Sequence, residues 1–158
     1  MKKNVLLLAI AAFMSVLNVT AQNKAIDLTS GEGRGVTLSG TNTLTSQNGG
    51  DYFLSGIEDY GMYSGVILNL SNFNKLDESA SNSLCSLNIY YTDGNGNDQK
   101  ASMGFWSKGK KTVRFDNFRN GNEDISIEPG SIKRISIGMG GNKQVDVQIE
   151  LVPRDPQG

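Results

Sequence analysis

Six side chains (Trp106, Tyr90, Asn88, Asn69, Arg114 and Asp116) occupy alternate positions of segments whose other positions are apolar. Alternation of this kind sets neighbouring side chains on opposite faces of a strand. The apolar set must turn inward, so these six point outward. Between them they offer two flat rings, two amides, a guanidinium and a carboxylate. A ring can pack on the C–H face of a pyranose, and the polar groups can bond its hydroxyls. Such recognition needs neither a metal nor a titrating base.

Two readings stand for Trp106 and Tyr90. Aromatic residues favour strands, and cross-strand aromatic pairs stabilise sheets without any ligand. The same rings, left in water beside Asn88, Asn69 and Arg114, form a platform. Gly104 would leave room between them. A second candidate lies in the aromatic-rich stretch 51–63, where Tyr60 and Tyr63 fall among Gly, Asp and Glu outside any alternation. Loops on a rigid scaffold often carry binding residues. Closure of the domain's mouth is the competing role for both tyrosines.

The rest of the composition excludes more than it permits. The chain has no histidine and one cysteine, Cys85. Ser/His/Asp and Cys/His catalysis are therefore impossible, as are thiolate zinc clusters and an internal disulfide. Sixteen acids are present. No pair of them sits in an apolar stretch that would raise a pKa, so no general acid is marked out. The expectation is that the chain is not an enzyme and carries no cofactor. Asp93-Gly94-Asn95-Gly96-Asn97-Asp98 opens like an EF-hand loop and then fails, with Asp98 where Gly is required and Gly104 in place of the bidentate Glu. Loop carboxylates such as Asp51, Glu58 and Asp59 remain a place for a structural Ca²⁺. Gly31-Glu32-Gly33-Arg34-Gly35 opens no helix and reads as a turn. Fifteen basic side chains meet sixteen acidic ones, without a basic patch, so nucleic acid is not an expected partner.

The elements that must position these residues are strands. Short alternating runs broken by Gly, Asn, Asp and Ser predict strands at 25–29, 35–39, 51–55, 65–71, 84–92, 100–106, 112–116, 124–127, 132–139 and 144–152. Ten short strands without an amphipathic helix predict an all-β, two-layer antiparallel β-sandwich of the jelly-roll type. The turn 93–98 reads as a tight hairpin. Segment 75–83 reads as a polar loop. Inward positions include Cys85, Leu87, Ile89 and Tyr91, then Ala101, Met103 and Phe105, then Val145, Val147, Ile149 and Leu151.

At the start, Lys2 and Lys3 precede a short apolar run, and Val19-Thr20-Ala21 supplies small residues for cleavage after Ala21. The expected organisation is a signal peptide at 1–21, a β-sandwich domain at 22–152 and a tail or linker at 153–158. The mature protein is expected to be secreted or periplasmic, without membrane insertion.

The order Gly65-Val66-Ile67-Leu68-Asn69-Leu70, Leu87-Asn88-Ile89-Tyr90-Tyr91-Thr92, Thr112-Val113-Arg114-Phe115, Ile132-Lys133-Arg134-Ile135-Ser136-Ile137 and Val145-Asp146-Val147-Gln148-Ile149 resembles galactose-binding-like jelly rolls, over about residues 50–152. The ending Thr20-Ala21-Gln22 is similar to leaders of Bacteroides-type bacteria. The resemblance implies a carbohydrate-binding module with a polysaccharide or oligosaccharide ligand and a possible neighbouring catalytic module. It transfers no individual residue. The alternative is a structural or adhesive envelope domain that binds another protein.

Overall fold

A computed structural model describes residues 21–155. Residues 1–20, which hold all but the last residue of the expected signal peptide, and the last three residues lie outside them. Eleven strands carry the fold: β1 (Lys24–Ala25), β2 (Glu32–Ser39), β3 (Thr43–Phe53), β4 (Tyr63–Lys75), β5 (Cys85–Thr92), β6 (Asp98–Phe105), β7 (Gly109–Arg114), β8 (Phe118–Asn120), β9 (Glu123–Ile125), β10 (Ile132–Met139) and β11 (Lys143–Pro153). Three single 3₁₀ turns are the helical content of the described residues. No helix among them is long and apolar enough to cross a membrane.

Nine strands form one antiparallel sheet in the order β6-β5-β10-β3-β11-β4-β7, with β2 added on β3 and β1 on β11. The fold is all-β, and the sheet curls because β3 serves two neighbours. Its first half pairs with β11, from Thr43 opposite Asp146 to Ser46 opposite Lys143. Its second half pairs with β10, from Gly50 opposite Met139 to Phe53 opposite Ser136. The strand turns the corner at Gly49, whose φ is +90°. At Gly50 a Cβ would lie 2.1 Å from the Arg34 carbonyl oxygen. Only glycine fits both demands.

The curl sets the apolar faces of two arms around one core. Leu87, Ile89, Ala101, Ile135 and Ile137 come from β5, β6 and β10; Val66, Leu68, Leu70, Val145 and Val147 come from β4 and β11. All are essentially inaccessible to water. Each fully buried Leu, Ile or Val stabilises by roughly 1.5–3 kcal/mol. Cys85 is part of this core, and burial pushes its thiol up to about 12.

The hairpin at 93–98 forms as expected. Asp93 closes it by accepting the Asn95 and Asn97 amides, each at 2.9 Å. Segment 75–83 is a loop, pinned by the buried Lys143 amine, which donates to Ser81 Oγ at 2.6 Å and to the Ser83 carbonyl at 2.8 Å. Pro153 ends β11, and the Arg154 amide donates to the Met62 carbonyl at 2.8 Å.

Candidate functional site

The outward positions of β6, β5, β10 and β3 form rows across the sheet. Gly104 stands opposite Ser86, Ser86 opposite Gly138, and Gly138 opposite Asp51. In the next row Ser102, Asn88, Ser136 and Phe53 are successive neighbours. In the third, Lys100, Tyr90 and Arg134 are. These rows define a polar floor with aromatic groups on two sides.

The floor is a connected hydrogen-bond network. The Asn88 amide donates to Asp51 Oδ1 at 3.0 Å and to Ser136 Oγ at 3.3 Å. Its carbonyl oxygen accepts from Ser102 Oγ at 2.6 Å and from Ser86 Oγ at 3.3 Å. The Ser136 hydroxyl donates to Asp51 at 3.1 Å. Asn88 is only 3% exposed and Ser136 is buried completely. Such groups are tolerated because each has partners, and the network in turn fixes their orientation. Glycine makes the convergence possible. At Gly138 a Cβ would sit 2.6 Å from both Asn88 Nδ2 and Ser86 Oγ. The result is a depression of about 300 Å³ lined by Asp51, Ser86, Asn88, Lys100, Ser102 and the backbone of Gly138. Asp51 is its one carboxylate.

Trp106 does not line this depression but stands at the end of the strand beside it. It follows β6 and is 67% exposed. Its six-membered ring folds back over Gly104, where a Cβ would lie 2.7 Å from the ring. Gly104 pairs with Ser86, so the indole covers the strand next to the depression. Tyr90 lies on the same outer face, four residues along β5 from Ser86, or about 13 Å away. It is half-buried and packs on Phe53, with ring centroids 6.0 Å apart. The β6 edge is occupied by the end of β8 and the turn after it: Asn120 Oδ1 accepts the Ser102 amide at 3.0 Å, and the Gly121 amide donates to the Ser102 carbonyl at 3.3 Å.

Trp106, Tyr90 and Asn88 therefore share one face. Asn69 and Arg114 do not join them, which corrects the expectation of a single surface. They sit on β4 and β7, at the far end of the strand order. Asn69 lines a separate depression of about 200 Å³ with Lys110 and Gln148. Arg114 lines another, of about 580 Å³, with Asp116 and Pro153. Its guanidinium is already bidentate on Asp116, at 2.9 and 2.6 Å, and this bond holds the Asp116 carboxyl below the usual carboxylate range. Strand order is a long-range property that alternation within a strand does not encode.

Tyr60 and Tyr63 also depart from the expected loop site. Tyr60 lies in a 3₁₀ turn capped by Asp59 and is buried in the core, where desolvation pushes its phenol up to about 12. Tyr63 is half-buried at the start of β4, opposite Pro153. Both close the end of the domain. Among the described residues no three acids, or acids with Cys85, converge as a metal site. Asp51, one of the carboxylates considered for Ca²⁺, bonds Asn88 and Ser136 instead.

The alternation of Ser86 with Asn88 and of Ser136 with Gly138 carried the floor in the sequence, but the serines resembled ordinary solvated positions. Asp51, Ser136 and Gly138 were missed as members of a site for that reason.

No family model matches the chain, and no curated protein matches it. Two solved structures resemble it. One is PfGH50B, at 12% identity and a TM-score of 0.49, over 86% of this chain and 24% of that one. The other is an exo-beta-agarase, at 11% identity and a TM-score of 0.37, over 88% of this chain and 24% of that one. The chain spans about a quarter of the length of either, and neither likeness bears on what the depression holds.

Proposed function

We propose that the outer face of β6, β5, β10 and β3 binds carbohydrate without transforming it. The observation that carries this reading is an indole left 67% in water over Gly104, whose strand partner Ser86 lines a depression floored by hydroxyl, amide and carboxylate groups. A solvated Trp ring retains its apolar face for the C–H surface of a sugar. The Ser, Asn, Asp and Lys groups beside it match hydroxyls as donors and acceptors. Hydrolysis of a glycosidic bond uses two carboxyl groups across the scissile bond. The depression supplies only Asp51, which favours binding over cleavage. The reading requires no cofactor. The leader features at 1–21 support an exported protein that meets polysaccharide outside the cytoplasm, alone or beside a catalytic module.

Affinity electrophoresis in gels cast with a panel of polysaccharides tests the reading. The wild-type protein should be retarded by at least one of them, and Trp106→Ala should migrate freely there with an unchanged Tm. Equal retardation of both proteins, or no retardation by any polysaccharide, would overturn it.

A further inference from the structure

Phe53 is only 8% exposed, yet it stands outside the contiguous cluster of core side chains. It points outward from β3, next to Tyr52, which points in. Its cover consists of charged groups. The Arg134 guanidinium lies 4.3 Å from the Phe53 centroid and 4.7 Å from that of Tyr90. The Arg34 guanidinium lies 5.0 Å from Phe53, and the Lys100 amine 5.7 Å from Tyr90. Arg34, Phe53, Arg134, Tyr90 and Lys100 thus form a ladder of alternating cations and rings across five strands.

Among the described residues Arg134 and Lys100 have no carboxylate within ion-pair distance, whereas the neighbouring Lys133 bonds Asp98 at 2.5 Å. Arg34 meets Glu32 at 3.6 Å, a solvated pair of little energetic weight. Stacking leaves the in-plane N–H groups of a guanidinium free while restricting its rotamers. The Arg134 donors are therefore held in place without an acceptor. Lys100 also lines the polar depression, so the ladder and the depression are one continuous surface.

We infer that the site takes an anionic polysaccharide, with a sulfate or carboxylate substituent on Arg134 and Lys100 while a neighbouring residue occupies the depression by Trp106. This rests on the carbohydrate-binding reading and names the class of glycan. A planar anion accepts two parallel N–H bonds from a guanidinium, which fixes its orientation as well as its charge. Restricting Arg134 in advance lowers the entropy lost on binding.

Dextran, dextran sulfate and carboxymethyl-dextran share one backbone and separate the contributions. Binding of the full-length mature protein to each is measured by calorimetry at about 50 mM and about 200 mM salt, with Arg134→Met and Trp106→Ala as variants. Met keeps an apolar cover on Phe53 and removes the charge. One charged derivative should bind at least about tenfold tighter than dextran, and which one does so distinguishes sulfate from carboxylate. Arg134→Met should abolish that preference and flatten the salt dependence without lowering Tm. Equal binding of all three dextrans, an unaltered preference in Arg134→Met, or equal binding of single-stranded DNA at either salt would overturn the inference. A preference that survives Trp106→Ala undiminished would instead count against the Trp106 platform and leave the anion site standing.

Discussion

On β6, β5 and β10 the outward side chains converge on one buried amide; on β11, β4 and β7 they form separate pairs, such as Gln144 with Thr45 and Asp146 with Thr43 and Asn72, or stay exposed, as Asn69 and Lys110 do. Both arms alternate in the same way and bury equally apolar inner faces. The outward rows of the second arm set Ile67 beside Glu150 and Thr112, and Asn69 beside Gln148 and Lys110. No ring stands among these positions. Those of the first arm carry Trp106 and Tyr90 around a buried Asn88, and Gly104 and Gly138 remove the side chains that would fill the space. Two faces made by one rule differ because two glycines and two aromatic rings replace ordinary solvated residues. A binding surface on a sheet is made as much by omitted side chains as by present ones.

The largest effect that would separate the arms is expected from Gly138→Ala. The added methyl collides with Asn88 and Ser86. Glycan binding should disappear, and urea titration should show a loss of roughly 1–3 kcal/mol from overpacking. Asn88→Ala comes next. It removes the donor to Asp51 and Ser136 and the acceptor of Ser102 and Ser86, so stability should fall by roughly 1–3 kcal/mol and affinity with it. Trp106→Ala should weaken binding roughly tenfold by calorimetry while shifting stability by less than about 0.5 kcal/mol. Asn69→Ala and Arg114→Ala should change neither quantity measurably, since Arg114 engages an exposed partner and surface pairs contribute little.

Alkali tests the core shared by both arms. The folded Cys85 thiol titrates at about 12 and its unfolded value is 9.0; Tyr60 is likewise raised from 10.0 to about 12. In each case the folded state holds the proton more tightly. Stability from these groups is complete below pH 9 and is lost as pH rises towards 12. Urea midpoints should decline across that window, and Cys85→Ala should make the decline start nearer pH 10.

Much of this arrangement was legible in the sequence where alternation was strong. The strand at Ile132–Met139 has its expected limits, Cys85–Thr92 starts one residue later than expected, and Lys143–Pro153 extends one residue further at each end. The first half of β3 was not legible. Thr43 to Gly50 holds one apolar residue, Leu44, and buries Ser46 as its next inward side chain, so a polar, glycine-rich strand resembles a loop. That strand turns the corner, and the corner decides which arms neighbour each other. Hence the β5–β6 hairpin, legible in the sequence, accounts for Trp106, Tyr90 and Asn88 lying on one face, while Asn69 and Arg114 fall on the other arm. Phe53 and Arg134 were invisible as partners for the same reason: they meet through the β3–β10 pairing.

Titration of the ¹⁵N-labelled protein with the oligosaccharide of a polysaccharide that retards it tests the central claim most directly. Shifts should concentrate on the Trp106 indole N–H, the Asn88 side-chain amide and the Ser102 and Gly138 amides, with Asn69, Lys110 and Arg114 unmoved. Shifts confined to β4, β7 and β11, with the Trp106 indole unchanged, would contradict it.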